Sequence, residues 1–268
     1  MKHGTFLRQH PVFTARDLAT HLASRGAVGP RTREAFLAYY RKTSRLARIR
    51  RGLYAVVSPG DDPQSEPINP YLIAARLTED ALLSHHTALE YHGRAHSVWQ
   101  HFVYSASQPL RPVTFQSHLF RGVKFPRPLL GCGNQFHSTL ESEEEGLAIR
   151  VTSLERTLVD VLHRPDLAGG WEEVWRSLES IEYFDLDVVV AYALMVENAT
   201  TAAKVGFFLE QHRTELMVDE CYLDRLRRHR PRQPHYMDRA RRRPGRLVPE
   251  WNLLVPDDVL ARSWEEVS

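Results

Sequence analysis

Apolar positions change their spacing several times along the chain, and those changes divide it. Near the start, Leu18 and Leu22 repeat at i and i+4 behind Thr14, with Asp17 three residues after the threonine. A hydroxyl that accepts a helix-start amide, followed by an acid at the third position, opens a helix, here over about 15–24. Gly26 and Gly29 mark a turn. Pro30 suits the first position of a second helix, and Phe36, Leu37 and Tyr40 form its buried stripe. Arg31, Thr32, Arg33, Glu34 and Arg41 are left largely outward. After Leu46 the helical spacing stops. Leu53, Tyr54, Val56 and Val57 are strand formers, and Arg51 with Gly52 is a turn signal, so 44–57 reads as a β-hairpin with arginines at its tip. Two short helices, a Gly-containing turn and a hairpin describe a winged helix-turn-helix over 1–60, whose second helix enters the major groove of DNA by its N-terminal end.

Residues 61–67, rich in proline and acid, read as a linker. Pro70 opens a short helical stretch to Leu77. Thr78 looks like the N-cap of a helix over 79–91, with Gly93 as its stop. Short β-type runs follow at 102–104, 113–115, 123–125 and 149–151, and the acid triplet 143–145 reads as a solvated loop. Helical spacing then returns. Thr152 or Ser153 caps 154–162, Pro165 ends that helix, and Gly169 and Gly170 precede a helix through Trp171, Val174, Trp175 and Leu178. Two further helices cover 187–198 and 202–212. The fold class is α+β: the N-terminal winged helix-turn-helix, then a larger mixed, mostly helical α/β domain over 68–268, β-containing to about 151 and helical after it.

Composition adds little until charge is placed along the chain. With 43% apolar and 25% charged residues, the sequence is ordinary for a globular protein. Residues 1–10 lack the apolar run of a signal peptide, and the longest apolar stretch, 186–196, is too short to span a membrane and carries Asp187. Cys132 and Cys221 form no disulfide framework and no zinc pair. A cytoplasmic protein with no membrane partner is expected. The net charge of +2, however, hides a division: residues 1–57 hold 12 Lys+Arg against Asp17 and Glu34, a local +10, and the remainder carries −8. Such asymmetry points the N-terminal part at a polyanion. Arg31, Thr32 and Arg33 are the candidates for reading base edges. Arg41, Arg45, Arg48, Arg50 and Arg51 are the candidates for holding the backbone or a minor groove of double-stranded operator DNA. A second cluster, ten arginines against Asp238 over 225–246, carries +9. Its Arg227, Arg228, Arg230, Arg241, Arg242 and Arg243 either meet a nucleic acid or partner, or pair with the domain's own acids.

Other chemistry is weaker. His85, His86, His92, His96 and His101 are the densest histidine group, but adjacent residues on a helix point about 100° apart. No third ligand is evident, so capping and packing are expected, with no metal. Asp160 with Glu155 or Glu172 resembles a nuclease carboxylate pair only loosely. Arg156 pairing with Asp160 at i and i+4 accounts for it more simply. Ser105 and Ser107 sit in no nucleophile elbow, and no Gly-rich phosphate loop exists. Neither a catalytic residue nor a cofactor is expected, and the chain does not read as an enzyme.

Several segments carry a family resemblance. Ser44-Arg45-Leu46-Ala47-Arg48-Ile49-Arg50-Arg51-Gly52-Leu53-Tyr54-Ala55-Val56 resembles the wing segment of the antitoxins of AbiE-type abortive-infection systems, which are type IV toxin–antitoxin pairs. The stretch from Leu83 to Glu90 is similar to that family's segment after the linker. The stretch from Val151 to Asp160, with Gly169 and Gly170, resembles its central helix, and the stretch from Trp251 to Pro256 its C-terminal part. Where that family usually has glycine before Arg-Leu, this chain has Ser44, a change expected to alter little. The resemblance implies a repressor of its own operon, with a larger domain that neutralises a nucleotidyltransferase-type toxin, often without stable contact. Two rival readings remain open at this point: a nucleic-acid-processing enzyme with a nuclease-like C-terminal domain, and a ligand-sensing regulator.

Overall fold

A computed structural model describes residues 4–26, 29–60, 67–238, 243–262 and 264. The N-terminal part runs α1 (Gly4–Gln9), β1 (Val12–Thr14), α2 (Ala15–Ala23), α3 (Pro30–Lys42), β2 (Leu46–Arg50) and β3 (Leu53–Val56). Thr14 starts α2 reciprocally: its Oγ1 accepts the Asp17 amide at 3.2 Å, and the Asp17 carboxylate accepts the Thr14 amide at 2.7 Å. Phe6, Leu7, Phe13, Leu18, Leu22, Phe36, Tyr40, Leu46 and Tyr54 form one buried cluster, at about 1.5–3 kcal/mol for each large side chain removed from water. α1 and β1 were not expected, because six and three residues are too few to show a period. The ring of Phe6 holds α1 in place, stacked on His10 at 4.5 Å and on His21 at 4.4 Å. β1, β3 and β2 form an antiparallel sheet in that order.

After the expected linker, of which 61–66 lie outside the described residues, come α4 (Pro70–Ala75), β4 (Leu82–Leu83), α5 (His86–Tyr91), β5 (His101–Ala106), β6 (Val113–Phe115), β7 (His118–Lys124), α6 (Arg127–Gly131), β8 (Thr139–Glu144) and β9 (Leu147–Thr152). Their strands make a six-stranded mixed sheet of order β6-β7-β5-β4-β9-β8. Two expectations are corrected here. The helix expected over 79–91 exists only from His86: Leu82 and Leu83 are fully buried in the middle of the sheet, paired with β5 and β9. A two-residue apolar run carries no period, so burial in the sheet overrides its helical setting. Glu143 and Glu144 belong to a strand and only Glu145 lies in the turn, with φ +49°.

The rest of the chain is α7 (Leu154–His163), a 3-10 turn Pro165–Leu167, α8 (Trp171–Glu179), α9 (Leu186–Met195), α10 (Ala199–Gln211), α11 (Glu220–Arg227), β10 (His235–Tyr236), β11 (Gly245–Val248), β12 (Leu253–Pro256) and α12 (Asp257–Ala261). The small sheet β10-β12-β11 was not foreseen. The whole is a mixed α/β fold with two compact units. The first draws on the described residues of 1–83, 99–124 and 141–151, the second on those of 84–98, 125–140 and 152–268. No helix among the described residues is long and apolar enough to cross a membrane.

Two features of the second unit bear on its stability. Gly206, inside α10, lies under the Trp251 ring, so closely that a Cβ there would be 2.1 Å from ring carbons. The indole N–H of Trp251 donates to Glu210 at 2.7 Å, fixing the ring over the glycine. Gly206→Ala should therefore lower stability by about 1–3 kcal/mol by overpacking, although alanine in an open helix would add about 1 kcal/mol. Thermal melting that shows an unchanged or raised Tm would contradict the packing described.

The second feature is titratable. Glu173 accepts from His86 Nε2 at 3.2 Å and from the amide and hydroxyl of Ser97 at 3.0 and 2.7 Å. The other ring nitrogen of His86 lies 3.6 Å from Glu90. Burial alone would raise the Glu173 carboxyl, yet these donors hold it at about 2. Burial alone would lower His86, yet the two carboxylates keep it above the ordinary 6.5. His163, by contrast, is pushed down by burial to about 4. The signs follow. His163 contributes stability that is complete above its ordinary 6.5 and lost as pH falls toward 4. His86 contributes stability present below 6.5 and lost as pH rises through its raised folded value. Denaturant unfolding across pH should peak between these limbs. His163→Gln should flatten the acid limb and His86→Gln the alkaline one, and curves that keep both limbs in both variants would refute the assignment.

Candidate nucleic-acid interface

The helix spacing of α3 sorts its cations. Arg31 begins an outward stripe through Ala35, Ala38 and Lys42, all exposed, with Glu34 and Tyr39 on its flanks. Tyr39 is 62% exposed, which places an aromatic ring on this face that the sequence reading passed over. Arg33 occupies another position. Phe36, Leu37 and Tyr40 follow it at i+3, i+4 and i+7, and it is half-buried on their stripe. Arg31 and Thr32 thus stand on the free side of the helix, and Arg33 at its buried margin. Arg41 is exposed in the last turn.

The hairpin β2–β3 treats its arginines unequally for a backbone reason. Arg48 pairs with Tyr54 and Arg50 with Leu53, so Ile49 is an extra residue in β2, a bulge. In a regular strand Arg48 and Arg50 would share a face. Here Arg48 is exposed, whereas Arg50 is half-buried and donates to the carbonyl of Leu77 at 3.0 Å. Arg50 is committed within its own unit. Arg51 is exposed at the tip beside Gly52, whose φ of +85° makes the turn. The Gly52 carbonyl accepts the amide of Ala15 at 2.8 Å, tying the tip to the start of α2. Arg45 is half-buried, with its guanidinium 5.8 Å from the Tyr40 ring centre. Ser44 adopts φ +54°, the left-handed region that glycine occupies without strain, so the serine here is not neutral as expected but carries some backbone strain.

Electrostatically, Arg31, Arg33, Arg41, Arg48 and Arg51 take part in no ion pair among the described residues. Within the same unit, the charges of α2 are paired: Arg16 with Glu79 at the surface, and Asp17 with Arg76 at 3.6 Å. The second cluster differs. Arg225 pairs with Asp187 at 3.1 Å, and Arg227 with Glu220, with Asp224 at 2.9 Å and with Glu210 at 3.1 Å, its guanidinium 5.4 Å from the Trp251 ring centre. Arg230 donates to the Glu250 carbonyl, Arg243 pairs with Asp258, and Arg246 with Asp257 at 3.2 Å. Arg228 and Arg232 are exposed and form no ion pair among the described residues. Arg241 and Arg242 lie outside the described residues. Most of the described part of the cluster is therefore neutralised by neighbouring acids.

The carboxylates of the loose nuclease pattern are not gathered into a site. Asp160 is buried, accepts from Tyr192 at 2.9 Å and faces Arg156 Nε at 3.4 Å. Arg156, fully buried, also donates to the carbonyls of Gln135 and His137 at 2.8 and 2.7 Å. Burial raises the Asp160 carboxyl above its ordinary range, against the pull of Arg156. Glu155 accepts the Asp185 amide at 3.4 Å, and Glu172 pairs with Arg176. Among the histidines, His92 Nε2 lies 2.8 Å from the Thr152 carbonyl, and His85, at φ +56°, is the buried entry to α5. Among the described residues, no group of three histidine, cysteine or acidic side chains is placed to hold a metal.

No family model matches the sequence, and no curated protein matches it. Among solved structures, the chain is similar to the RV2827C protein from Mycobacterium tuberculosis. The two share 17% identity and a TM-score of 0.57 over 96% of this chain and 90% of that one, a likeness of fold.

Proposed function

We propose that this chain is a DNA-binding transcriptional repressor and antitoxin of the AbiE abortive-infection type. In this reading the N-terminal residues are a winged helix-turn-helix that binds double-stranded operator DNA, and the remainder neutralises a nucleotidyltransferase-type toxin. The observation that carries the first half is the set of exposed arginines on α3 and the hairpin, Arg31, Arg48 and Arg51, which form no ion pair among the described residues. An arginine-bearing helix start beside an arginine-tipped hairpin suits a duplex, with one element for base edges and the other for phosphates. The second half rests on the resemblance of the segments at Leu83, Val151 and Trp251.

Binding of the full chain to duplex DNA from upstream of its own coding sequence, against a random duplex, tests the first half. Arg31→Ala should weaken the upstream duplex preferentially, by about 1–3 kcal/mol for a bidentate base contact. Arg48→Ala with Arg51→Ala should weaken both duplexes alike. Arg50→Ala should chiefly lower stability, because it removes the bond to Leu77 and leaves the contact surface intact. A larger binding loss for Arg50→Ala than for Arg48→Ala with Arg51→Ala would show the hairpin to be assigned the wrong way round.

The second half is tested by growth on co-expression with the toxin. The triple variant Arg31→Ala, Arg48→Ala, Arg51→Ala should lose repression of a promoter reporter and still relieve toxicity. Joint loss of both, in a variant that melts normally, would contradict the division of labour.

A further inference from the structure

The first unit carries a second set of exposed cations that the N-terminal sixty residues do not contain. Between Glu90 and Glu141 the sequence holds no acidic residue at all. Within the part of that stretch belonging to the first unit, the cations are Arg111, Arg121 and Lys124, all exposed and none in an ion pair among the described residues. Strand geometry separates them. β6 pairs with β7 so that Thr114 faces Leu119, and Arg121 stands two residues further along the same face of β7. Lys124 is an odd number of residues from Arg121 and belongs to the opposite face, with the buried Phe120. Arg111 lies in the bend two residues ahead of Val113, outside β6, so strand alternation assigns it to neither face; it belongs to the corner by position alone.

The position of this corner matters. β6 is the outer strand of the six-stranded sheet, β2 is the outer strand of the three-stranded sheet, and the two strands lie against each other within the unit. The arginine-bearing hairpin and the corner of Arg111, Thr114 and Arg121 are therefore neighbouring parts of one body. β7 stands one strand spacing, about 5 Å, beyond β6.

We propose that the nucleic-acid surface continues from the hairpin onto the β6–β7 corner, where Arg111, Thr114 and Arg121 hold the phosphate backbone of the same duplex. This rests on the DNA-binding reading above and extends its footprint. The contacts are to phosphate, so they add affinity and carry no sequence preference.

The test uses the full chain, the upstream duplex and a random duplex of equal length, titrated over a range of salt. Each phosphate contact contributes about 0.9 to the log–log salt slope, so Arg111→Ala with Arg121→Ala should make the slope shallower by about 1.8 on both duplexes. The ratio of affinities for the two duplexes should stay unchanged, and so should the melting temperature. Lys124→Ala, which removes one exposed charge from the other face of the same strand, should leave the slope as it was. A wild-type chain that binds with strong salt dependence, together with an unchanged slope in the double variant, overturns the extension alone. A slope change of about 0.9 in Lys124→Ala, half that of the double variant, also overturns it, since net charge and not this corner would then be felt. A wild-type chain that fails to bind duplex DNA overturns the DNA-binding reading and the extension with it.

Discussion

Ion pairing between arginine and carboxylate decides what each part of this basic chain is free to do. A guanidinium cannot shed its charge, so it is satisfied by an acid or carbonyl of its own protein, by water, or by a partner. Over 225–246 the acids are near: Asp187, Glu210, Glu220, Asp224, Asp257 and Asp258 take up four of the arginines. Exposed pairs of this kind contribute little stability each, about 0–1 kcal/mol, but they cancel the field that would attract a polyanion. On α3, on the hairpin tip and on the β6–β7 corner, Arg31, Arg48, Arg51, Arg111 and Arg121 form no ion pair among the described residues, and Glu34 is the single acid of α3, so most of the field remains. Summed charge, +10 and +9, hardly distinguishes the two clusters; the carboxylates placed around the second one do.

The same rule holds inside each unit. Arg156 is fully buried, a costly position for an unpaired charge, and it has Asp160, two carbonyls and the Tyr192 ring, 5.0 Å from its guanidinium carbon, although its Nη2 has no hydrogen-bond partner among the described residues. This network joins α7 and α9 to the segment before β8. In the first unit Arg50 is the corresponding case, drawn inward to Leu77 by the bulge at Ile49. In both arginines the geometry is one of support.

Periodicity and capping were legible where elements are long enough to repeat. The Thr14 capping box, Pro30 at the start of α3, Ser153 as the cap of α7 and the β runs at 102–104 and 113–115 all reappear in the fold. Short buried pieces were not legible. Leu82 and Leu83 look helical beside Thr78, and only pairing in mid-sheet makes them a strand. At the candidate interface, Arg31, Thr32, Arg48 and Arg51 were readable as outward from spacing and turn chemistry. Arg50 was not, because a bulge changes which side of the strand an arginine occupies and leaves no mark in composition. Arg33 was legible in principle: its i+3, i+4 and i+7 neighbours are the apolar stripe itself. The β6–β7 corner required topology, since nothing local brings residues 111–121 beside residues 46–50.

The most direct test of this account measures every arginine at once. The full chain would be treated with an arginine-selective dicarbonyl reagent, with and without the upstream duplex, and modification at each site read by mass spectrometry. The account predicts that DNA protects Arg31, Arg48 and Arg51, while Arg227 and Arg243, held by acids, react slowly in both conditions and Arg228 and Arg232 react equally in both. Protection of Arg228 and Arg232, with Arg31, Arg48 and Arg51 equally reactive in both conditions, would contradict it.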